Sequence, residues 1–255
     1  MNIQGPADVC RKLDLVMGRI AAAAQRSSRS VDEITLVAVT KTHPPETVLK
    51  ALACGVRHVG ENRIGELEAK RPAVEALLSA DSPKPIWHMV GHVQSRKANR
   101  AVEIADVIES VDSLKLARRL EDHASAIGRR VPVLLELNVS GEDSKYGLHA
   151  DQWETNPGQL SKLTTTVAAI LELQHVEVQG LMTMAPWVTD QDLVRSVFRT
   201  LRRLLDLLRG EFPEAGWRHL SMGMSDDYEI AVEEGATIVR IGRAIFGPRH
   251  GERPS

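Results

Sequence analysis

The sequence carries little net charge: 32 Lys and Arg stand against 34 Asp and Glu, a balance of −2 over 255 residues. Without a positive excess, no general attraction to nucleic acid or to an anionic membrane is expected. No apolar run approaches the length that spans a bilayer, so no membrane segment is expected. The first stretch, MNIQGPADVCRKLDLVMGRIAAAAQR, spreads its charges throughout and lacks an apolar core with a cleavage signal, which argues against a secretory peptide. Cysteine is scarce. Cys10 and Cys54 show neither ligand spacing nor a paired framework, and are expected to be packing thiols of a reducing compartment, with the cytoplasm as the location. Internal repeats and low-complexity segments are absent by inspection.

What is present is an ordinary soluble composition, 43% apolar and 26% charged, with ample material for a core. The length is generous for one common domain but normal for a single α/β barrel of about 250 residues.

Residues 8–25 place apolar groups at Val9, Leu13, Val16, Ile20 and Ala23 or Ala24, a helical spacing with one sticky face. After a polar break at Arg26 to Ser30 comes Ile34 to Thr40, an unalternating aliphatic run that reads as a strand buried on both faces, closed by Lys41. Pro45 and Glu46 suit a helix start, and Gly55 its end. Alternation then becomes regular. Strands are expected at His58 to Asn62, Ile86 to His92, Ala105 to Val111, Val131 to Asn138, Val176 to Met184, His219 to Gly223 and Ile238 to Gly242, each with a helical segment behind it. The fifth is followed by a long polar loop, Val139 to Asn156. Eight strand-helix units predict an α/β fold, a closed (β/α)8 TIM-like barrel with an additional N-terminal helix. One domain is expected over 1–255, with helix and linker over about 1–30 and a loose tail over about 248–255. An open doubly wound sheet is the alternative architecture.

In such a barrel the active face lies at the C-terminal strand ends, and phosphate is often held by the last two loops. Lys41 ends strand one, which neighbours strand eight on closure. A lysine there is either solvated or a Schiff-base candidate whose pKa shifts readily on burial. The last two strands lead into Ser221-Met222-Gly223-Met224-Ser225-Asp226-Asp227 and Arg240-Ile241-Gly242-Arg243-Ala244-Ile245-Phe246-Gly247. Their small residues let backbone approach an anion, and Ser225 offers a hydroxyl at a helix start, so the pair resembles a phosphate cup. Taken singly, Ser225 reads first as a plain N-cap, and Gly242 could likewise be a tight turn; what raises the phosphate reading is that both loops land beside Lys41. Strand parity turns Arg240 inward with Ile238 and Gly242, and Val239 and Ile241 outward. An inward arginine needs an acceptor: a pyridine nitrogen, as in pyridoxal phosphate sites, or a barrel carboxylate such as Glu61 or Glu136. His88 and His92 share a face but lie about 13 Å apart along a strand, too far for one metal ion, and no metal site is expected. Met182, Met184 and Met222 read as barrel filling.

The segments AVTKTHP, GEN at Gly60 to Asn62, HMVGHVQ at His88 to Gln94, NVSGEDSKYG at Asn138 to Gly147, GLMTM at Gly180 to Met184 and SMGMSDDYEIAVEEGATIVRIGRAIFG at Ser221 to Gly247 resemble the pyridoxal 5′-phosphate homeostasis proteins. That family is similar to the N-terminal barrel domain of alanine racemase. The resemblance implies a Schiff base between Lys41 and the cofactor, Arg240 at the pyridine nitrogen, and phosphate held by Ser225 and the backbone of Gly242 and Arg243. Asn62 is expected to line the site. Arg96 departs from the asparagine common in the family, and Thr42 and His43 sit where it varies; both concern the rim. Racemases that resemble this domain take a second proton carrier from a tyrosine on a further β domain, whereas this chain's tyrosines are Tyr146, in the long loop, and Tyr228, expected in packing.

The expected role is therefore a pyridoxal 5′-phosphate carrier in vitamin B6 and amino-acid homeostasis without strong catalysis. Apo pyridoxal-phosphate enzymes are the expected partners, and a monomer the expected state, with a dimer as the alternative. An amino-acid racemase or related enzyme using Lys41 and Tyr146 is the second reading. A cofactor-free barrel enzyme acting on a phosphorylated metabolite is the third.

Overall fold

The computed structural model describes residues 6–79 and 82–247. Its strands are β1 (Thr35–Val39), β2 (His58–Glu61), β3 (Ile86–Met89), β4 (Val107–Val111), β5 (Val131–Asn138), the two-residue β6 (Leu148–His149), β7 (Val176–Met182), β8 (His219–Ser221) and β9 (Ile238–Ile241). Eight of them run parallel in the order β4-β3-β2-β1-β9-β8-β7-β5, and pairing of β4 with β5 closes the cylinder. The short β6 lies parallel beside the end of β5, inside what the sequence predicts as loop.

The helices are α1 (Pro6–Arg26), α2 (Pro45–Ala53), α3 (Ile64–Glu75), α4 (Ala98–Ile104), α5 (Leu114–Ala126), α6 (Pro157–Leu171), α7 (Gln191–Glu211), α8 (Tyr228–Glu233) and α9 (Arg243–Phe246). Their starts follow the chemistry of the sequence. Proline opens α2 and α6, and Ser113, Asn156 and Asp190 accept backbone amides at the starts of α5, α6 and α7. Each such cap contributes about 1 kcal/mol.

Two cores result. Val37, Val39, Val90, Leu134, Met182 and Ile238 fill the cylinder, with Met184 against them. A larger core lies between strands and helices. It includes Val239 and Ile241, so the parity predicted for the last strand holds. Met222 also belongs to this outer core, not to the interior filling expected of it, because the residues that point inward in this segment are its neighbours His219 and Ser221.

Six of the eight predicted strands overrun the hydrogen-bonded ones at their C-terminal ends, while those ending at Val111 and Asn138 stop where predicted. Lys41, Asn62, His92, Gly223 and Gly242 all fall just beyond the ladder. These are the positions where the chain leaves the sheet to build the mouth of the barrel.

The additional helix has a structural reason. After β9 the chain forms only the four-residue α9, too short to cover the seam between β9 and β1. Helix α1 packs against α2, α8 and α9 and buries Val9, Leu13, Val16, Ile20, Ala23 and Ala24 there. Arg26 bonds Glu233 at 2.6 Å, and Arg29 donates to the carbonyls of Val232 and Ala236 at 3.0 and 2.8 Å. The same packing corrects the reading of the cysteines. Cys10 and Cys54 form a disulfide, with Cα atoms 5.2 Å apart, that ties α1 to the end of α2. Spacing could not reveal it, because the pairing depends on where α1 docks.

Among the described residues no helix is long and apolar enough to cross a membrane. The tail expected over 248–255 lies outside the described residues, as does Gly5 of the Gly5-Pro6 start that the sequence reads as loose, whereas Pro6 opens α1.

Candidate functional site

Register fixes what faces inward. Val37 pairs with His58 and with Arg240, and Val39 with Gly60. A side chain on Gly60 would run into Val37, Val39 and Val90, all interior residues. Lys41 and Asn62 follow Val39 and Gly60 by two residues, just past the ends of β1 and β2. Both are half-buried.

The end of β1 is held from outside. The Thr40 hydroxyl donates to Glu61 at 2.6 Å, and the Lys70 ammonium of α3 donates to Glu61 at 2.5 Å and to the Thr40 carbonyl at 2.8 Å. Burial raises the Glu61 carboxyl, and Lys70 works against that. Beyond Lys41, Thr42 turns the chain at φ 66°, a left-handed conformation unusual for a β-branched residue, and its amide donates to Glu66 at 2.8 Å. Lys41 thus sits between two anchored residues.

The loops after β8 and β9 meet beside it. The Ser225 hydroxyl accepts from the Ala244 amide at 3.2 Å, and Arg243 pairs with Asp226. A Cβ on Gly242 would stand 2.9 Å from the Val39 carbonyl oxygen, so only glycine lets this loop close against β1. The His43 ring lies 5.4 Å from Phe246, joining the loop after Lys41 to α9. Asn62 is fixed by a similar approach: Gly91 lies flat against its backbone.

Arg240 is buried below this cup. One terminal nitrogen donates to the Ser221 hydroxyl at 2.5 Å and the other to the Thr183 carbonyl at 2.8 Å. Ser221 donates in turn to Glu109 at 2.5 Å, and Glu109 Oε2 lies 3.8 Å from the guanidinium. The carboxylate that pairs with Arg240 is thus Glu109, not Glu61, with Asp227 and Glu136 acting on the guanidinium from farther away. Glu61 points outward to Lys70, while Glu136 makes no hydrogen bond through Oε2. Burial pushes the Glu136 carboxyl up to about 7, helped by Asp112. Burial also works to raise Glu109, but His88, Arg240 and Ser221 outweigh it and hold that carboxyl below its usual range.

Sequence reasoning missed Glu109, Ser221 and the histidines behind them. His88 Nδ1 lies 2.6 Å from Glu109, and His88 Nε2 lies 2.9 Å from His58 Nδ1. Inward parity of His58 and His88 was available as a signal. For Glu109 it was masked by the irregular register between Ile108 and Val111. Among the described residues no three His, Cys, Asp or Glu side chains converge as metal ligands. At the rim, Lys145 donates to Ser140 and to the Met184 carbonyl, and the exposed Tyr146 stacks on His92 at 3.8 Å. Tyr228 is buried in packing. Ser144 and Arg96 are exposed.

The donor set suits a phosphorylated carbonyl compound. The Ser225 hydroxyl is bonded to the start of α9, Lys41 follows the end of the neighbouring β1, and a buried guanidinium lies beneath.

The alanine racemase N-terminal domain family matches residues 16–250. The pyridoxal phosphate homeostasis protein of Aquifex aeolicus (strain VF5) is 38% identical over 242 residues, covering 95% of this chain and 99% of that protein. A protein from Bifidobacterium adolescentis has a crystal structure that superposes with a TM-score of 0.83 at 36% identity, covering 94% of this chain and 95% of that one. PipY of Synechococcus elongatus PCC7942, in its structure with PLP bound, gives a TM-score of 0.74 at 35% identity, covering 89% of this chain and all of PipY. On these matches the chain belongs to the alanine racemase N-terminal domain family and, within it, to the pyridoxal phosphate homeostasis proteins.

Proposed function

We propose that this protein binds pyridoxal 5′-phosphate, holds it as a Schiff base on Lys41, and serves vitamin B6 and amino-acid homeostasis in the cytoplasm without strong catalysis of its own. The carrying observation is the junction of Ser225 with Ala244 beside the interior end of β1, with Arg240 buried beneath. The cofactor supplies an aldehyde that condenses with amines and a ring able to accept electrons. This chain supplies the means to hold it. Ser225 and the amides after Gly242 receive the phosphate, Arg240 faces the ring nitrogen, Asn62 lines the side, and Lys41 provides the amine. Apo pyridoxal-phosphate enzymes are the partners this reading implies.

An arginine at the ring nitrogen leaves that nitrogen unprotonated, which disfavours carbanion chemistry. Racemase activity is the second reading. What favours it is Tyr146, stacked on His92 at the mouth of the barrel.

The test is the visible absorption spectrum of the protein supplied with pyridoxal phosphate, before and after borohydride, beside Lys41→Ala. A band that borohydride removes, absent from the variant, supports the reading. Equal absence in both overturns it. Exchange of α-hydrogen from added amino acids into deuterated solvent would favour the racemase instead.

A further inference from the structure

We propose that Glu109 is a positioning residue for Arg240: through Ser221, and backed by His88 and His58, it holds the guanidinium in one orientation and balances its charge at the floor of the site. This rests on the reading that the site takes pyridoxal phosphate.

Five side chains form one line across the barrel interior. Arg240 donates to the Ser221 hydroxyl at 2.5 Å, and that hydroxyl donates to Glu109 Oε2 at 2.5 Å. The other oxygen, Oε1, lies 2.6 Å from His88 Nδ1, and His88 Nε2 lies 2.9 Å from His58 Nδ1. An ionised carboxylate only accepts, so the His88 proton must sit on Nδ1. Glu109 is fully buried, and Arg240 nearly so.

A buried ion pair is a poor way to stabilise a fold, since well-packed apolar residues of similar volume do as well or better. Its use here is geometric. With one terminal nitrogen on Ser221 and the other on the Thr183 carbonyl, the plane of the guanidinium is set from the end of β8 and from the residue just past β7. Burial and its histidine neighbour hold His58 down to about 4. Against burial, Glu109 is held low by His88 and Arg240 together, and Arg240 is also drawn toward Asp227 and Glu136. A ring nitrogen with a lone pair needs a donor that is fixed and charged, and a guanidinium held on two sides meets that need.

The test compares pyridoxal phosphate affinity and the visible band in the parent, Ser221→Ala, Arg240→Gln and the double variant, with Glu109→Gln and Glu109→Asp alongside. Ser221→Ala removes the bridge and leaves both charges in place. It should melt within a few degrees of the parent, bind about tenfold more weakly and displace the band. In the Arg240→Gln background the same change should have no further effect, because a residue acting through Arg240 has nothing left to position. Glu109→Gln should weaken binding further and Glu109→Asp recover part of the loss. If Glu109→Gln does not fold, the Ser221 cycle decides alone. Parental affinity in Ser221→Ala, or an equal loss in both backgrounds, overturns the role of Glu109. A parent that takes up no pyridoxal phosphate overturns the cofactor reading and this proposal together.

Discussion

Gly91 lies so close to Asn62 that a Cβ on it would stand 2.2 Å from the Asn62 carbonyl oxygen and 2.8 Å from its Cα. Backbone is on both sides of this contact, so neither partner can rotate away. Gly91→Ala should cost about 1–3 kcal/mol of stability through overpacking, and should weaken pyridoxal phosphate binding by moving Asn62. Urea unfolding and a binding titration read the two effects. A variant with parental values in both would mean that β2 and β3 separate at no cost.

Glu136 predicts a pH dependence. Its folded pKa of about 7 lies above the ordinary 4.5, so its contribution is fully present below about pH 4.5 and is lost as pH rises through 7. The shift corresponds to roughly 3 kcal/mol at the alkaline end. Glu136→Gln should be more stable than the parent at pH 8 and nearly equal to it at pH 4.5. Parallel stability curves for parent and variant between those values would show that the carboxyl ionises without penalty.

The disulfide closes a separation of 44 residues, for which chain entropy alone gives about 4 kcal/mol. Reduction should lower the melting temperature by several degrees, and Cys10→Ser should melt like the reduced parent. Thiol titration of the unreduced native protein gives the sharpest check: two reactive thiols would mean the bond is absent.

Lys70 and Glu61 make a fourth case. Lys70→Met leaves a buried carboxylate without its cation and should cost about 3–5 kcal/mol, whereas joining it with Glu61→Leu should return most of that loss. Thermal unfolding of both variants measures the difference. A single variant as stable as the parent would show that water reaches Glu61.

Much of this was legible in the sequence, for identifiable reasons. The unalternating run before Lys41 and the alternation at Ile238 to Gly242 depend only on local pattern, and both ends of the seam came out as the pattern implies. Ser225 and Gly242 could be paired because barrel closure makes their strands neighbours. Glu109 could not, because its strand shifts register midway and its partners come from β3, β8 and β9. Cys10 and Cys54 escaped for a related reason: their meeting is decided by a helix outside the strand-helix repeat.

The docking of α1 on the last helices also sets a schedule. Arg26 and its partner Glu233 are 207 residues apart, and at about 5–20 residues per second a ribosome needs on the order of 10–40 s to make the second after the first. For most of that interval α2 is the one partner of α1 that exists, and the surface that α8 and α9 cover has nothing against it. The nascent chain must carry that part of its first helix exposed until almost its last strand is made, which gives a holding chaperone something to grip.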